Sequence, residues 1–368
     1  MKIKIEKSKI ESHIQKVSRL ASKHLTLPVL SCVYIEATSQ KIILKSTNLD
    51  VGLEMSVKAD VSEEGNIAVP ASVLLGSLQS IKENDLVFES IDNNLKISSG
   101  KNSVVIKSMP HDDFPSIPVI NKDGNLKSIK INAKDLMLGF RSVWYSASNS
   151  NIKPELSSVF VYTEDSKLVF VSTDSFRLAE KRVNTKVDSD FPHTLIPYKN
   201  VSEILKIFED YNGDIDILFD KNQAAFMAPN TYLVSRLVDG SFPDYKQIIP
   251  KVFTTTATLL KADLLNSIKA SNIFSDSLNQ VRLKLKPKDK DLSIEAKNND
   301  VGEYRESLKA NLEGDDIEIN FNNKYIIDSF QSIAGDSVTL EFGGTNKPLI
   351  IKGSSDNSFM YMVMPMNR

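Results

Sequence analysis

The sequence predicts an α+β protein of three repeated domains, each with two amphipathic helices packed on antiparallel sheets. Three observations carry this. The 368 residues exceed what a single core normally accommodates. Two segments end on the same acidic turn followed by Phe-Pro, KSMPHDDFPS at Lys107–Ser116 and SRLVDGSFPDY at Ser235–Tyr245; Phe242 lies 128 residues after Phe114, and Leu237 lies 128 after Met109. The chain then finishes on SFMYMVMPMNR, where Met364 stands 127 residues beyond Leu237. Solenoid repeats run to roughly 50 residues at most, so these longer units read as domains. Their expected bounds are 1–125, 126–249 and 250–368.

The first unit opens on Met1–Glu6, where Lys and Ile alternate as in a half-buried strand. Ser8 is then expected to cap a helix over Lys9–Lys23. Ile10, Ile14, Val17 and Ala21 share one of its faces, and Lys9, Lys16, Arg19 and Lys23 the other. Val51, Leu53, Met55 and Val57 alternate with polar or small residues over a strand of eight. Pro70 starts a second helix marked by Val73, Leu74, Leu78 and Ile81.

The second unit repeats that order. Ser128–Ser148 reads as strand then helix, with Leu136 placed 126 residues after Ile10. STDSFRLAE at Ser172–Glu180 answers STNLDVGLE at Ser46–Glu54, Thr173 following Thr47 by 126. IPYKNVSEILKIF returns the second helix, with Pro197 standing 127 after Pro70. The third unit keeps the frame: Leu264 is 128 after Leu136, EAKNNDVGEYRE at Glu295–Glu306 supplies the turn, and Ile326 in FNNKYIIDSFQSI is 125 after Val201.

With 41% hydrophobic and 25% charged residues the chain should fold throughout. A net charge of −2 gives no general attraction to polyanions, so any such contact must come from uneven charge placement. Cys32 is the single cysteine, which fits a reducing compartment. No signal peptide or long apolar run occurs, so a soluble cytoplasmic protein with no membrane partner is expected. The motifs of phosphate loops, serine hydrolases and zinc proteases are missing. His13, His24, His111 and His193 lack ligand-like spacing, and neither metal nor cofactor is expected. Gly343-Gly344 fits a hairpin turn, and Asp112-Asp113 and Asp239-Gly240 fit turns at domain ends. Thr173, Asp174 and Arg177 form the densest polar cluster, but no nucleophile and base accompany them, so no enzyme is expected.

Basic residues recur seven apart on the helical segments: Lys9, Lys16 and Lys23; Lys134 and Arg141; Lys199 and Lys206. Each set falls near one helix face, either a solvated surface or, given its recurrence, a shared surface for phosphates. The third unit offers only Lys261, Lys269 and Lys324. The methionines of the C-terminal run suit plain core filling or an adaptable peptide groove.

Taken together, TLPVL (Thr26–Leu30), STDSFRLA (Ser172–Ala179), SRLVDGSFPDY and the ending YMVMPMNR resemble the bacterial DNA polymerase III beta subunit family, the sliding clamps, over the whole chain. The resemblance implies the DNA clamp fold and a ring-shaped head-to-tail homodimer. Helices would line a hole holding double-stranded DNA without sequence preference. The ring would tether the DNA polymerase III alpha subunit, the clamp loader, and other polymerases and repair proteins, with no catalysis of its own.

The partner-peptide pocket implied by position comprises Lys153, Leu156, Thr173, Ser175, Phe176, Arg177, Leu178, Pro243, Gln247, Ile248, Met362, Val363, Met364, Pro365 and Met366. DNA contacts fall to Lys9, Lys16, Arg19, Lys23, His24, Lys134, Arg141, Lys199 and Lys206. Val104, Ile273 and Phe274 are candidates for the dimer interface, with core burial as the plain alternative. Many relatives carry Gly-His where Ser175-Phe176 stands, and some carry Arg at the positions of Gln247 and Asn367. The first junction keeps the Phe114 turn but is expected to lack a tail beside it, so only the second should dock peptides. The rival reading is a non-enzymatic peptide-binding scaffold that does not encircle DNA.

Overall fold

A computed structural model describes residues 1–21, 26–120, 128–150, 152–184 and 191–366. The chain divides into two compact units, Met1–Lys134 with Lys199–Leu237, and Asp135–Tyr198 with Val238–Arg368.

The first unit begins with the strand Lys2–Glu6, which buries Ile3 and Ile5 and runs straight into helix α1 (Lys7–Ser18). Ser8 is therefore inside the helix and not its cap. The first-turn donors go instead to Asn84, whose carbonyl accepts from Lys7 N at 2.7 Å and whose side chain accepts from Ser8 N at 3.0 Å. Ile10, Ile14 and Val17 are buried on one face as expected. The helix stops at Ser18, short of Lys23, because the amides of Arg19 and Leu20 reach back only three residues, to Lys16 and Val17. Helix α2 (Ala71–Ser80) follows Pro70 and buries Leu74 and Leu78, whereas Val73 faces solvent.

One sheet of this unit has five strands, in the order Asp60–Glu63, Lys2–Glu6, Asp85–Ile91, Asn94–Ser99 and Asn102–Lys107. The other has eight: Ser128–Asn132, Asp214–Phe219, Gln223–Ala228, Thr231–Arg236, Val51–Lys58, Lys41–Thr47, Cys32–Thr38 and Gly65–Pro70. Its middle is the antiparallel seam of Thr231–Arg236 against Val51–Lys58, with Ser235 opposite Val51. All pairings in both sheets are antiparallel.

The second unit is built likewise. Helix α3 (Ala133–Val143) enters it at Asp135 and lies on Phe170, with the Phe140 and Phe170 rings edge to face at 5.1 Å. Gly139 permits this approach, since a Cβ there would stand 2.2 Å from the Phe170 ring. Helix α4 (Tyr198–Ile207) returns the chain to the first unit. Nine strands form the large sheet of the second unit: Thr194–Pro197, Ser158–Glu164, Lys167–Thr173, Arg177–Asn184, Phe359–Val363, Leu349–Gly353, Ser337–Phe342, Thr255–Leu260 and Asn311–Gly314. Its seam pairs Arg177 with Val363 and Leu178 with Met362. Four more strands, Gly302–Leu308, Asp291–Asn298, Gln280–Lys286 and Ile317–Asn322, make the second sheet, with helices α5 (Lys261–Ile273) and α6 (Asn323–Ser329). Gly343 and Gly344 lie in the loop joining two antiparallel strands, as their turn chemistry suggests.

Both Phe-Pro stretches are straps across a sheet face of their own unit. Tyr34 stands between the buried Val33 and Ile35 and so points to the opposite side of its strand, where Phe114 packs on it at 5.1 Å. Phe160, 126 residues on, takes Phe242 at 5.0 Å with the rings nearly parallel. Ile249 and Phe253 extend the second strap over a cluster of Val169, Val171, Leu178, Ile350 and Met362.

Tyr245 pins that strap. Its hydroxyl meets Tyr162 Oη at 2.8 Å and donates to Glu180 Oε2, while Arg182 Nε donates to Glu180 Oε1 at 2.7 Å. Burial, reinforced by Glu180, pushes the Tyr245 phenol well above its usual range. Tyr245→Phe leaves a buried carboxylate short of a donor. The expected loss is about 1–3 kcal/mol, read as a lower urea midpoint, while Phe242→Leu, which keeps this chain of bonds, costs less.

Candidate functional site

The seam of the second unit is edged by a turn whose geometry lies in its side chains. Thr173 Oγ1 donates to the Arg177 carbonyl at 2.6 Å and accepts from Ser175 N at 3.1 Å. Asp174 Oδ1 accepts from Phe176 N at 2.9 Å and Arg177 N at 3.0 Å. These bonds hold Ser175 at φ 77°. The first unit repeats the arrangement: Thr47 bonds the Val51 carbonyl and Leu49 N, Asn48 bonds Asp50 N and Val51 N, and Leu49 sits at φ 74°. In the third repeat Asn298 accepts from Asp300 N. Thr173 and Asp174 are thus committed to a turn.

Arg177 is committed as well. Its Nε donates to Asp174 Oδ2 at 3.0 Å, Nη1 to Asp328, and Nη2 to the Tyr145 carbonyl at 2.8 Å; the guanidinium lies 4.7 Å from the Tyr325 ring centre. Beneath it, burial holds the phenols of Tyr145 and Tyr361 well above their usual range. Arg177 therefore braces the site more than it offers a free charge. Tyr145, Tyr325 and Asp328 carry no local sequence signal for this role; only the fold brings helix α6 beside the Thr173–Arg177 turn.

The C-terminal run lies along the same turn. Met364 N donates to the Phe176 carbonyl at 2.8 Å, and Met366 N to the Asn320 carbonyl at 2.8 Å. Met364, Pro365 and Met366 are half-buried, Phe176 is 61% exposed and Ile248 is 52% exposed. Pro243, Gln247, Ser175 and Lys153 are exposed; Gln247 Nε2 donates to Asp244 Oδ2 at 2.6 Å. Leu156, Leu178, Met362 and Val363 are buried, so these four are core supporting the site rather than surface a partner would touch in this conformation. The chemistry left accessible among these residues is largely apolar: a ring, a branched aliphatic chain, two thioethers and two prolines, with Lys153 an exposed cation.

The expectation that the first junction lacks a tail is overturned. Arg236 N donates to the Asp50 carbonyl at 2.8 Å, the counterpart of Met364 on Phe176. What differs is side-chain chemistry, since Asp50 and Arg236 there form an exposed ion pair at 3.9 Å.

Family models of the DNA polymerase III beta subunit match the chain in three consecutive parts: the N-terminal domain over residues 1–118, the central domain over 130–244 and the C-terminal domain over 246–367. The chain belongs to this family. A beta sliding clamp of Staphylococcus epidermidis is 25% identical, covering 100% of this chain and 99% of the relative. The structure of a DNA polymerase III beta chain from Streptococcus pneumoniae superposes with TM-score 0.94 at 26% identity over 100% of both chains. The Bacillus subtilis DNA polymerase sliding clamp gives 0.93 at 24%, covering 100% of this chain and 99% of its own. The chain thus has three clamp domains of the beta-subunit fold.

In this beta-subunit fold the expected cations divide into two groups. Lys9, Lys134, Lys199 and Lys206 of the first unit are exposed, as is Arg141 of the second; Lys9 pairs with Glu6, and among the described residues no ion pair engages the other four. Arg19 is paired with Glu203 at 3.2 Å and Lys16 lies 3.9 Å from Asp210, so acidic residues in or next to α4 offset part of the α1 charge. Lys23 and His24 lie outside the described residues.

Of the interface candidates, Ile273 ends α5 and is 68% exposed, which removes core burial as its explanation. Phe274 is half-buried against Tyr304, ring centres 6.0 Å apart. Val104 is half-buried in the edge strand Asn102–Lys107, and its neighbour Val105, at 60%, is the more exposed.

Proposed function

We propose that this chain is a processivity clamp with domains at 1–125, 126–249 and 250–368, two copies of which close head to tail into a ring around duplex DNA. The DNA polymerase III alpha subunit, the clamp loader, and other polymerases and repair proteins dock by short peptides at the Phe176, Ile248 and Met364–Met366 surface. The chain works in the cytoplasm and needs no catalytic group, since holding a polymerase near DNA requires only contact and topology.

The observation that carries the ring is a pair of open edges in different repeats. Asn102–Lys107 ends the five-stranded sheet and Gly302–Leu308 ends the four-stranded one. Each offers unpaired backbone groups and a flanking apolar residue, Val105 and Ile273. A heterologous contact between such edges can close into a ring. Lys101 and Lys107 at the first edge oppose Glu303 and Glu306 at the second in sign. Exposed cations, Lys9, Lys134, Arg141, Lys199 and Lys206, would meet phosphates without reading bases, so the grip is weak and salt-dependent while closure prevents escape.

On nicked circular DNA, loaded protein is expected to survive a wash in high salt and to be lost once the circle is linearised. Equal retention on both forms would instead support the scaffold that does not encircle DNA.

A further inference from the structure

We propose that Glu203 is a positioning residue that holds the Arg19 guanidinium off the phosphates and so keeps the clamp's grip on duplex DNA loose. The inference rests on the DNA surface proposed above and adds to it the part played by an anion within that surface.

Helix α4 carries Lys199, Glu203 and Lys206 at spacings of four and three, which brings all three to one face. Lys199 and Lys206 are exposed, and among the described residues neither enters an ion pair. A carboxylate thus stands in the middle of a cationic face. Its partner comes from the end of α1, where Arg19 Nε donates to Glu203 Oε2 at 3.2 Å. Lys16, one turn earlier, lies 3.9 Å from Asp210 Oδ2, just past the end of α4. All of these residues belong to the first compact unit.

A structural brace is the plain alternative, and the repeat shows what one looks like. The same helix position 125 residues on is Asp328, which takes Nη1 of Arg177. The Arg177 side chain is 11% exposed and also holds Asp174 Oδ2 and the Tyr145 carbonyl, so it is not free to change partner. Arg19 keeps 35% of its side chain exposed, and among the described residues Glu203 is the single acceptor of its guanidinium. An exposed pair of this kind is weak, so the arginine can exchange a carboxylate for a phosphate. Neutralising one more phosphate releases more counterion and makes binding both tighter and more salt-dependent. An ionised Glu203 withholds that contact, which suits a ring held by topology whose contacts have to break as it moves.

The test is binding of a fluorescent duplex of about 30 base pairs, followed by anisotropy from about 50 to 200 mM salt. Glu203→Gln keeps the shape and removes the charge. It should bind about five- to tenfold more tightly near 0.1 M salt, with the slope of log affinity against log salt steeper by about 0.9 for each copy that meets the DNA. Glu209 is an exposed carboxylate just beyond the same helix that pairs with no cation among the described residues, so Glu209→Gln should leave the slope unchanged. Combining Arg19→Gln with Glu203→Gln should return the slope to its natural value. A Glu203→Gln slope equal to that of the natural chain, with or without a lower urea midpoint, overturns the role of Glu203 and leaves a brace. An equal steepening in Glu209→Gln overturns it as well, in favour of net charge alone. Undiminished duplex binding by a Lys199→Glu, Lys206→Glu variant instead overturns the DNA surface on which the inference rests.

Discussion

Replacing Met364 and Pro365 together by alanine is expected to weaken binding of a polymerase-derived clamp-binding peptide by at least about 30-fold. The fold should be untouched, because the bond from Met364 N to the Phe176 carbonyl is made by the backbone and survives the substitution. Neither side chain is deeply buried, so no core cavity opens. What disappears is the apolar surface of the run that is bonded to the Phe176 turn. Met362, two residues earlier, is the contrasting control: it is buried in the cluster beneath the strap, and its truncation would destabilise the sheet by about 2–5 kcal/mol rather than act on binding alone. Peptide anisotropy with circular dichroism and solution mass separates the two effects. Unchanged peptide affinity in the double variant would move the docking surface away from the C-terminal run.

The repeat was legible because its chemistry sits in side chains at fixed offsets. Thr47 and Thr173, Asn48 and Asp174 make the same bonds, so equal letters at equal spacing report equal turns. Helix faces were legible where apolar spacing is strict, as at Ile10, Ile14 and Val17, but not at Val73, which sits beside the buried Leu74 and faces solvent. Long-range commitments were not. Nothing near Arg177 in the sequence announces Asp328 or the Tyr145 carbonyl, and nothing near Ser8 announces Asn84. Strand alternation also leaves the outward face undecided: Val104 and Val105 are equivalent letters, and only the burial of Ile106 shows that Val105 points away from the core. The first junction has a segment beside its turn because Arg236, within the stretch that ends the second repeat, is also the last residue of a seam strand.

Ile273→Asp is expected to dissociate the ring, raising the dimer dissociation constant by about a hundredfold or more, since a carboxylate buried without a partner costs several kcal/mol. In the single chain Ile273 is 68% exposed, so the same substitution should alter folding stability by no more than about 0.5 kcal/mol. Phe274 is a poorer probe, because its stacking on Tyr304 belongs to the fold of one chain. Light scattering should then report a species near the 41.0 kDa of one chain in place of twice that mass. Retention on circular DNA should vanish with it, while affinity for the docking peptide stays at its starting value, because Phe176, Ile248 and the Met364–Met366 run all belong to one chain. That separation matters physically: the peptide site needs only one folded copy, whereas topological retention needs two. A dimer that persists in Ile273→Asp would place closure at surfaces other than the α5 end and the Gly302–Leu308 edge.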